Sequence, residues 1–380
     1  MVMSIDGTGM WVTPGIIDVH SHMGVYPSLA ISSLSDGNEA VAPSTAGVWA
    51  EHSIWPQDPN FEKAVAGGVT TAQILPGSAN LFGGRGVTVK LVPTITMMGM
   101  KFPDAPHALK MACGENPKRV YGDQGGPQTR MGNMAGYRTK WIAATAYKKS
   151  WEDYEKAQKR GDNSIVAPVR DLEMDTLMGV LNGEIRIHNH CYRADEMANM
   201  IELSKEFDYE IAAFHHAVEA YKVADILAEN NVCAVVWADW WGFKQEAHDM
   251  VRENAALVDM AGACAIIHSD DEIQIQRLNQ EVAKVISASN KMGYPLTPAK
   301  AITWITSNPA KSLGLEDQIG SIEVGKNADI VLWNGDPFSV YTKASKVWID
   351  GALRYDHDNK SLWRTSDFNL GVLTPAGDRP

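Results

Sequence analysis

Eleven histidines occur in the 380 residues, and seven of them close or follow short apolar runs. The first run reads Pro14-Gly-Ile-Ile-Asp-Val-His20-Ser-His22. In an extended chain residues i and i+2 point to one side, so two imidazoles at this spacing can reach one ion from a single strand end. Imidazole suits zinc, iron and nickel. HxH alone is a weak signal; behind an apolar strand opened by Pro-Gly it is a strong one. Glu-Ile-Arg-Ile-His188 is followed two residues later by His190, and Ile-Ala-Ala-Phe-His215-His216 ends in adjacent imidazoles. Adjacent strand residues face opposite ways, so only one of His215 and His216 is expected in the site, and spacing does not choose between them. The last run, Ala-Ile-Ile-His268-Ser-Asp270-Asp271, adds carboxylates. A carboxylate there can take a proton from a metal-held water and pass it to a leaving nitrogen. Its competing role is a helix N-cap. A lone histidine at a strand end is more often a satisfied core residue than a ligand; seven converging on one face reverse that reading.

Such ends need a scaffold that gathers them. Eight apolar, β-branched runs read as strands: 16–19, 69–75, 87–92, 108–112, 185–187, 211–214, 232–237 and 263–267. Helical patterns follow at 194–207, 219–229, 247–260, 279–292 and 298–306. Eight is the strand count of an α/β fold of the closed (β/α)8 type, the TIM barrel, whose sites lie at the C-terminal strand ends. The early part is less regular, since 76–86 and 93–107 are rich in Gly and Pro and do not read as helices. A long insertion, 114–184, separates the fourth and fifth strands and carries a charged helical stretch at 139–160. It exceeds a normal βα connection and is expected to act as a lid, an oligomer contact, or both. From residue 319 the texture changes to short alternating segments. The expected organisation is a barrel over 12–318, a remnant of a small β-domain formed by 319–358 with 1–11, and a C-terminal tail over 359–380. That β-domain is expected to be N-terminally incomplete, with an exposed strand edge near Val331 or Trp348.

Composition narrows the function classes. Hydrophobic residues make up 45% and charged residues 21%, enough for a large core and unlike a disordered chain. Lys plus Arg total 34 against 46 Asp plus Glu, a net charge of −12, which argues against a nucleic-acid partner and fits a protein that handles cations or small molecules. No apolar run approaches the roughly 18 residues of a membrane helix, so no membrane partner is expected. The first twenty residues lack a basic, apolar leader; cytoplasm is the default compartment, left open by the short N-terminal part. Cys113, Cys191, Cys233 and Cys264 show no CxxC spacing and are expected as buried free thiols. Gly83-Gly-Arg-Gly86 lacks the Lys-Ser/Thr ending of a phosphate loop and reads as a flexible loop. Most of the twelve tryptophans read as core.

The ordered set HxH, His, His, Asp on successive strands resembles the amidohydrolase superfamily of metal-dependent hydrolases, and within it the imidazolonepropionase- and prolidase-related branch. Local motifs extend the likeness over most of the chain: Gly67-Gly-Val-Thr-Thr71, Gly114-Glu-Asn-Pro-Lys-Arg119, Thr129-Arg-Met-Gly132, His216-Ala-Val-Glu-Ala-Tyr-Lys222, Asn308-Pro-Ala and Gly320-Ser-Ile-Glu-Val-Gly-Lys-Asn-Ala-Asp329. The resemblance implies that His20, His22, His188, His216 and Asp270 bind the metal or act beside it. It favours His216 over His215, because Glu219, Tyr221 and Lys222 match the pattern, and Asp270 over Asp271. On the fourth strand it implies Lys110, carboxylated, or Glu115 as the bridging ligand. The implied cofactor is one or two divalent ions, zinc first, with iron or manganese as alternatives. The implied reaction is hydrolysis of the C–N bond of a dipeptide or cyclic amide, the ion lowering the pKa of its water to about 7. Asp270, with an unperturbed pKa near ~3.9, serves as base and proton shuttle. Deamination of a small heterocycle is the alternative chemistry, and a non-catalytic assembly protein the alternative class. Retention of every expected His and Asp argues against the latter. Substrate contacts are expected from His190, Tyr192, Arg193 and His268, with Arg130 as a further candidate for a substrate carboxylate; a surface ion pair is the competing role of each arginine. Trp237-Ala-Asp-Trp240-Trp241 departs from the branch and is expected to place aromatics at the pocket mouth. Cys191 lies beside the site with no mark of a nucleophile. A homo-oligomer is expected.

Overall fold

The structure is a computed structural model that describes residues 4–28 and 30–363. Twelve strands form in chain order: β1 (Trp11–Pro14), β2 (Ile16–Ser21), β3 (Val69–Ile74), β4 (Phe82–Lys90), β5 (His107–Ala112), β6 (Ile185–His190), β7 (Ile211–His215), β8 (Cys233–Val236), β9 (Cys264–Ile267), β10 (Ile330–Trp333), β11 (Ala344–Ile349) and β12 (Ala352–Asp356). β2 to β9 build one eight-stranded sheet in sequential order, and each of the eight runs read from the sequence lies on it. β2 and β3 are buried along their whole length, as strands clad by helices on one face and packed into a barrel on the other must be. The chain is thus an α/β barrel of the (β/α)8 type with a separate small β-sheet.

One strand runs against the others. β4 is antiparallel to both β3 and β5, whereas the five remaining neighbouring pairs are parallel. The cause is local. Parallel neighbours need a crossover of a dozen or more residues, usually a helix. Only residues 75–81, without a helix, lie between β3 and β4. Gly83-Gly-Arg-Gly86 is therefore strand and not a flexible loop. Gly84 has φ +112°, and a Cβ there would lie 2.6 Å from the carbonyl oxygen of Val48. Close backbone approach, not mobility, selects glycine at this point.

The insertion between β5 and β6 contributes a helix over Arg130–Lys159, begun by Thr129, whose side chain accepts a hydrogen bond from the amide of Gly132 at 3.0 Å. Its Tyr137 and Trp141 are fully buried. Trp141 packs against Phe82 and Tyr209 with ring centroids 5.4 and 4.5 Å away, and the Tyr137 hydroxyl donates to the carbonyl of Ala112. Two buried aromatics of this size stabilise the packing by roughly 3–6 kcal/mol, so this part of the insertion belongs to the barrel's outer layer.

The barrel's seam is closed by side chains. Among the described residues no ladder joins β2 to β9. Asp18, fully buried on β2, instead accepts hydrogen bonds from the Ser269 hydroxyl and from the amides of His20 and Ser269 at 3.1 and 3.5 Å. The amide of Asp270 donates to the carbonyl of His20 at 3.1 Å.

Outside the barrel, β1, β10, β11 and β12 form an antiparallel sheet in that order. The exposed edge expected near Val331 or Trp348 is not there. β10 is covered by β1 on one side and β11 on the other, and β11 by β10 and β12. Residues 11–14, adjoining the first barrel strand, supply the covering strand, and the Trp333 indole donates to the Thr13 hydroxyl at 2.9 Å. Trp363 stacks on Tyr355; residues 364–380 of the expected tail lie outside the described residues.

The cysteines are paired, not free. Cys113–Cys191 and Cys233–Cys264 form disulfides with Cα atoms 5.2 and 4.4 Å apart. Each joins neighbouring strands or strand ends: Cys233 and Cys264 are register partners in β8 and β9, and the Cys113 amide donates to the carbonyl of His190. Separations of 78 and 31 residues hide this proximity in the sequence. Among the described residues no helix is long and apolar enough to cross a membrane.

Candidate active site

All seven histidines singled out above gather at one end of the barrel, with His20 at their centre. Its Nε2 lies 3.3 Å from His22 Nε2, 3.1 Å from Lys110 Nζ and 3.2 Å from Asp270 Oδ1. Asp270 Oδ1 is also 3.2 Å from His22 Nε2, and its Oδ2 is 3.8 Å from His216 Nε2. His22 Nδ1 sits 2.9 Å from the carbonyl of Leu75, which can only accept, so Nδ1 donates there and Nε2 faces the cluster. His216 Nδ1 meets His268 Nε2 at 3.2 Å. Two sets of ligand atoms, from His20, His22 and Asp270 and from His20, His216 and His268, each lie within 4.8 Å of one another.

His215 and His216 both enter the cluster. The alternation rule holds only while the strand continues, and β7 ends at His215. His215 Nδ1 meets His20 Nδ1 and its Nε2 meets His188 Nδ1, both at 2.8 Å. His216 then takes φ +56°, which swings its side chain to the same face. His215 is the contributor that reasoning from spacing and resemblance passed over, although the adjacent pair at a strand end was its signal. Asp270 has φ +57°, a similar turn, and faces the histidines. Asp271 accepts from the amides of Ile273 and Gln274, the capping role weighed against catalysis above.

Lys110 and Glu115 part company. Lys110 is fully buried on β5, in register with His188 on β6. After Gly114 (φ +74°) the chain turns into the helix Glu115–Tyr121. There the Glu115 amide donates to Glu246 at 2.7 Å and its carboxylate accepts from the Glu246 amide at 3.3 Å, so Glu115 is not brought to the cluster. His188 lies deeper, against His215 and Gln73. His190 receives the Asn116 side-chain amide at Nε2 and packs 4.8 Å from the His216 ring and 4.5 Å from Tyr192. Trp237 stacks on His216 at 4.3 Å, and Trp240 stacks on Trp237, so the aromatic run does border the site. The arginines lie elsewhere: half-buried Arg193 pairs with exposed Asp195 and buried Glu219, and exposed Arg130 with Asp195.

Burial sets the protonation states. It presses the imidazoles of His20, His190, His215 and His216 well below their ordinary range, and those of His188 and His268 to about 3, with Lys110 and the neighbouring rings adding to the effect. Neutral rings keep a lone pair for a ligand. Burial likewise brings the Lys110 amine down to about 7. The donor set fits a divalent cation on structural grounds. Lone pairs from different elements converge on one point, and among the described residues the buried Nδ1 atoms of His190 and His268 have no hydrogen-bond partner.

The profile of the amidohydrolase family matches residues 138–354. The chain belongs to the amidohydrolase family. Within it, the crystal structure of an amidohydrolase from Thermotoga maritima superposes with a TM-score of 0.83 at 37% identity, covering 93% of this chain and 89% of that one. "Amidohydrolase tasK" of Hapsidospora irregularis is 33% identical over 367 residues, 92% of this chain but 37% of its own length. An imidazolonepropionase of Shewanella baltica is 54% identical over 111 residues, 28% of this chain and 25% of that protein. This amidohydrolase thus spans well under half the length of the curated relatives it matches. The family resemblance read from HxH, His, His and Asp is borne out.

Proposed function

We propose that this chain hydrolyses the amide C–N bond of a small substrate, a dipeptide or a cyclic amide, in a metal-dependent reaction with Asp270 as the proton shuttle. The observation that carries the reading is the meeting of His20, His22, Lys110 and Asp270 at one point, beside His216 and His268. His20, His22, Lys110 and Asp270 would hold one divalent ion, zinc first. His216 and a β6 histidine, His188 or His190, would serve a second. Bound there, such an ion supplies acidified water and a polarised carbonyl.

The chain's own residues do the rest. Asp270 is held by its backbone bond to His20, so its Oδ2 can accept a proton and return it to the leaving amine. The Leu75 carbonyl fixes His22 in one tautomer. Burial brings the Lys110 pKa down to about 7, so the free amine, the form that carbon dioxide can carboxylate into an oxygen donor, is available at neutral pH. Trp237 shields the His216 side of the cluster from water.

The test is metal content per chain on protein purified without chelator, followed by turnover of a dipeptide and lactam panel. One or two equivalents of metal and amide cleavage lost in Asp270→Asn are the expected results. A chain that takes up no zinc and cleaves neither class would overturn the reading.

A further inference from the structure

Lys244 lies on the segment that follows β8, half-buried, with its Nζ 5.6 Å from the ring centroids of both Tyr192 and Phe243. Several other half-buried or buried lysines are paired with acids, Lys90 with Asp350, Lys101 with Glu51 and Lys140 with Glu173. Among the described residues, Lys244 Nζ makes no ion pair and no hydrogen bond; its recorded contacts are the two rings. The nearby carboxylates of Glu115 and Glu246 are turned to each other's backbone amides, which ties this segment to the helix Glu115–Tyr121. A cation withdrawn from water without a partner costs stability. Burial pushes its amine pKa down and Asp270 pulls it up, with smaller opposing effects from Arg119 and from Glu115 and Glu246, and its charge is felt by His190 and Lys110, so it stands within electrostatic reach of the cluster. Tyr192, whose ring it overlies, packs against His190.

We infer that Lys244 receives a carboxylate of the substrate, which makes the preferred substrates amides that carry a free acid, such as N-acyl amino acids, dipeptides or half-amides of diacids. The inference rests on the hydrolase reading and names its substrate class. An aromatic wall with one ammonium offers the acid a charge-assisted bond away from water, where it is strongest.

The probes are N-acetyl-leucine, N-acetyl-leucinamide and succinic acid monomethylamide, assayed with the metal-loaded enzyme and with Lys244→Gln and Lys244→Arg. The wild type is expected to prefer an acid-bearing probe over N-acetyl-leucinamide at least tenfold in kcat/KM. Lys244→Gln should bring that ratio to within about threefold of one, chiefly through KM, and Lys244→Arg should retain most of it. Which acid is cleaved tells whether the carboxylate lies on the amine or the acyl side. An unchanged ratio in Lys244→Gln, or no preference in the wild type, overturns the role of Lys244 and leaves the hydrolase reading standing. If no probe is cleaved, calorimetric binding of N-acetyl-leucine decides: a tenfold weaker Kd in Lys244→Gln supports the anchor. Equal affinities, or no binding by the wild type, overturn it.

Discussion

Ser269→Ala should loosen the barrel where it closes, and by an amount that depends on pH. Its hydroxyl donates to Asp18, whose remaining partners are two backbone amides, one of them at 3.5 Å. Burial raises the Asp18 pKa from 3.8 to about 7, opposed by these hydrogen bonds. An acid whose folded pKa is raised loses stability as pH climbs from the unfolded value through the folded one. At pH 8 the carboxylate is ionised, and the lost bond to a charged acceptor costs roughly 1.5–3 kcal/mol. At pH 5 the folded-state acid is protonated, and the same loss costs about 0.5–1.5 kcal/mol. With an unfolding entropy near 2.1 cal/mol/K per residue, a 380-residue chain shifts by about 2–4 °C at pH 8 and about half that at pH 5. Scanning calorimetry of wild type and variant at both pH values measures the two shifts. A variant that melts within about 0.5 °C of wild type at pH 8, or shifts equally at both, would refute the seam as described.

Two further substitutions probe the frame around the site. Glu196 is buried, with one carboxylate oxygen lacking a partner among the described residues, and burial together with Glu246 raises its pKa to about 7. The wild type therefore loses stability between about pH 4.5 and 7, by up to about 3 kcal/mol at 1.36 kcal/mol per unit. Glu196→Gln should raise the urea midpoint at pH 8 more than at pH 4; the same difference at both would reject that assignment. Gly84→Ala forces a Cβ toward the Val48 carbonyl at positive φ and should cost about 2 kcal/mol or more. A thermal midpoint equal to wild type would show that β4 does not run as described.

The sequence showed the strands more clearly than their directions. Parallel strands buried on both faces are short β-branched runs, which is why 211–214 and 263–267 stand out. Nothing in Val87-Thr-Val-Lys90 says which way it runs; that follows from how few residues precede it, and the missing helix at 76–86 was the available sign. His20 and His22 could be placed because each follows an apolar run at a fixed spacing, and Asp270 because the family resemblance favours it over Asp271. His215 could not, since positive φ at His216 carries no mark in a residue other than glycine. The disulfides depend on which strands are neighbours, and connectivity is not encoded in spacing. Lys244 sits in a segment without periodicity and emerges only once Glu115 and Glu246 are seen bonded to each other's backbone amides.

β3 and β4 are joined by residues 75–81 alone, whereas most other barrel neighbours must first enclose a helix. Short links cost less entropy to close and favour early formation. Assembly should thus begin with this hairpin, gain Lys110 as β5 adds to it, and finish when Asp18 meets Ser269. His20 and Asp270 flank that last junction, so the contacts of His20 and His22 with Asp270 come into being in the same event that completes the barrel.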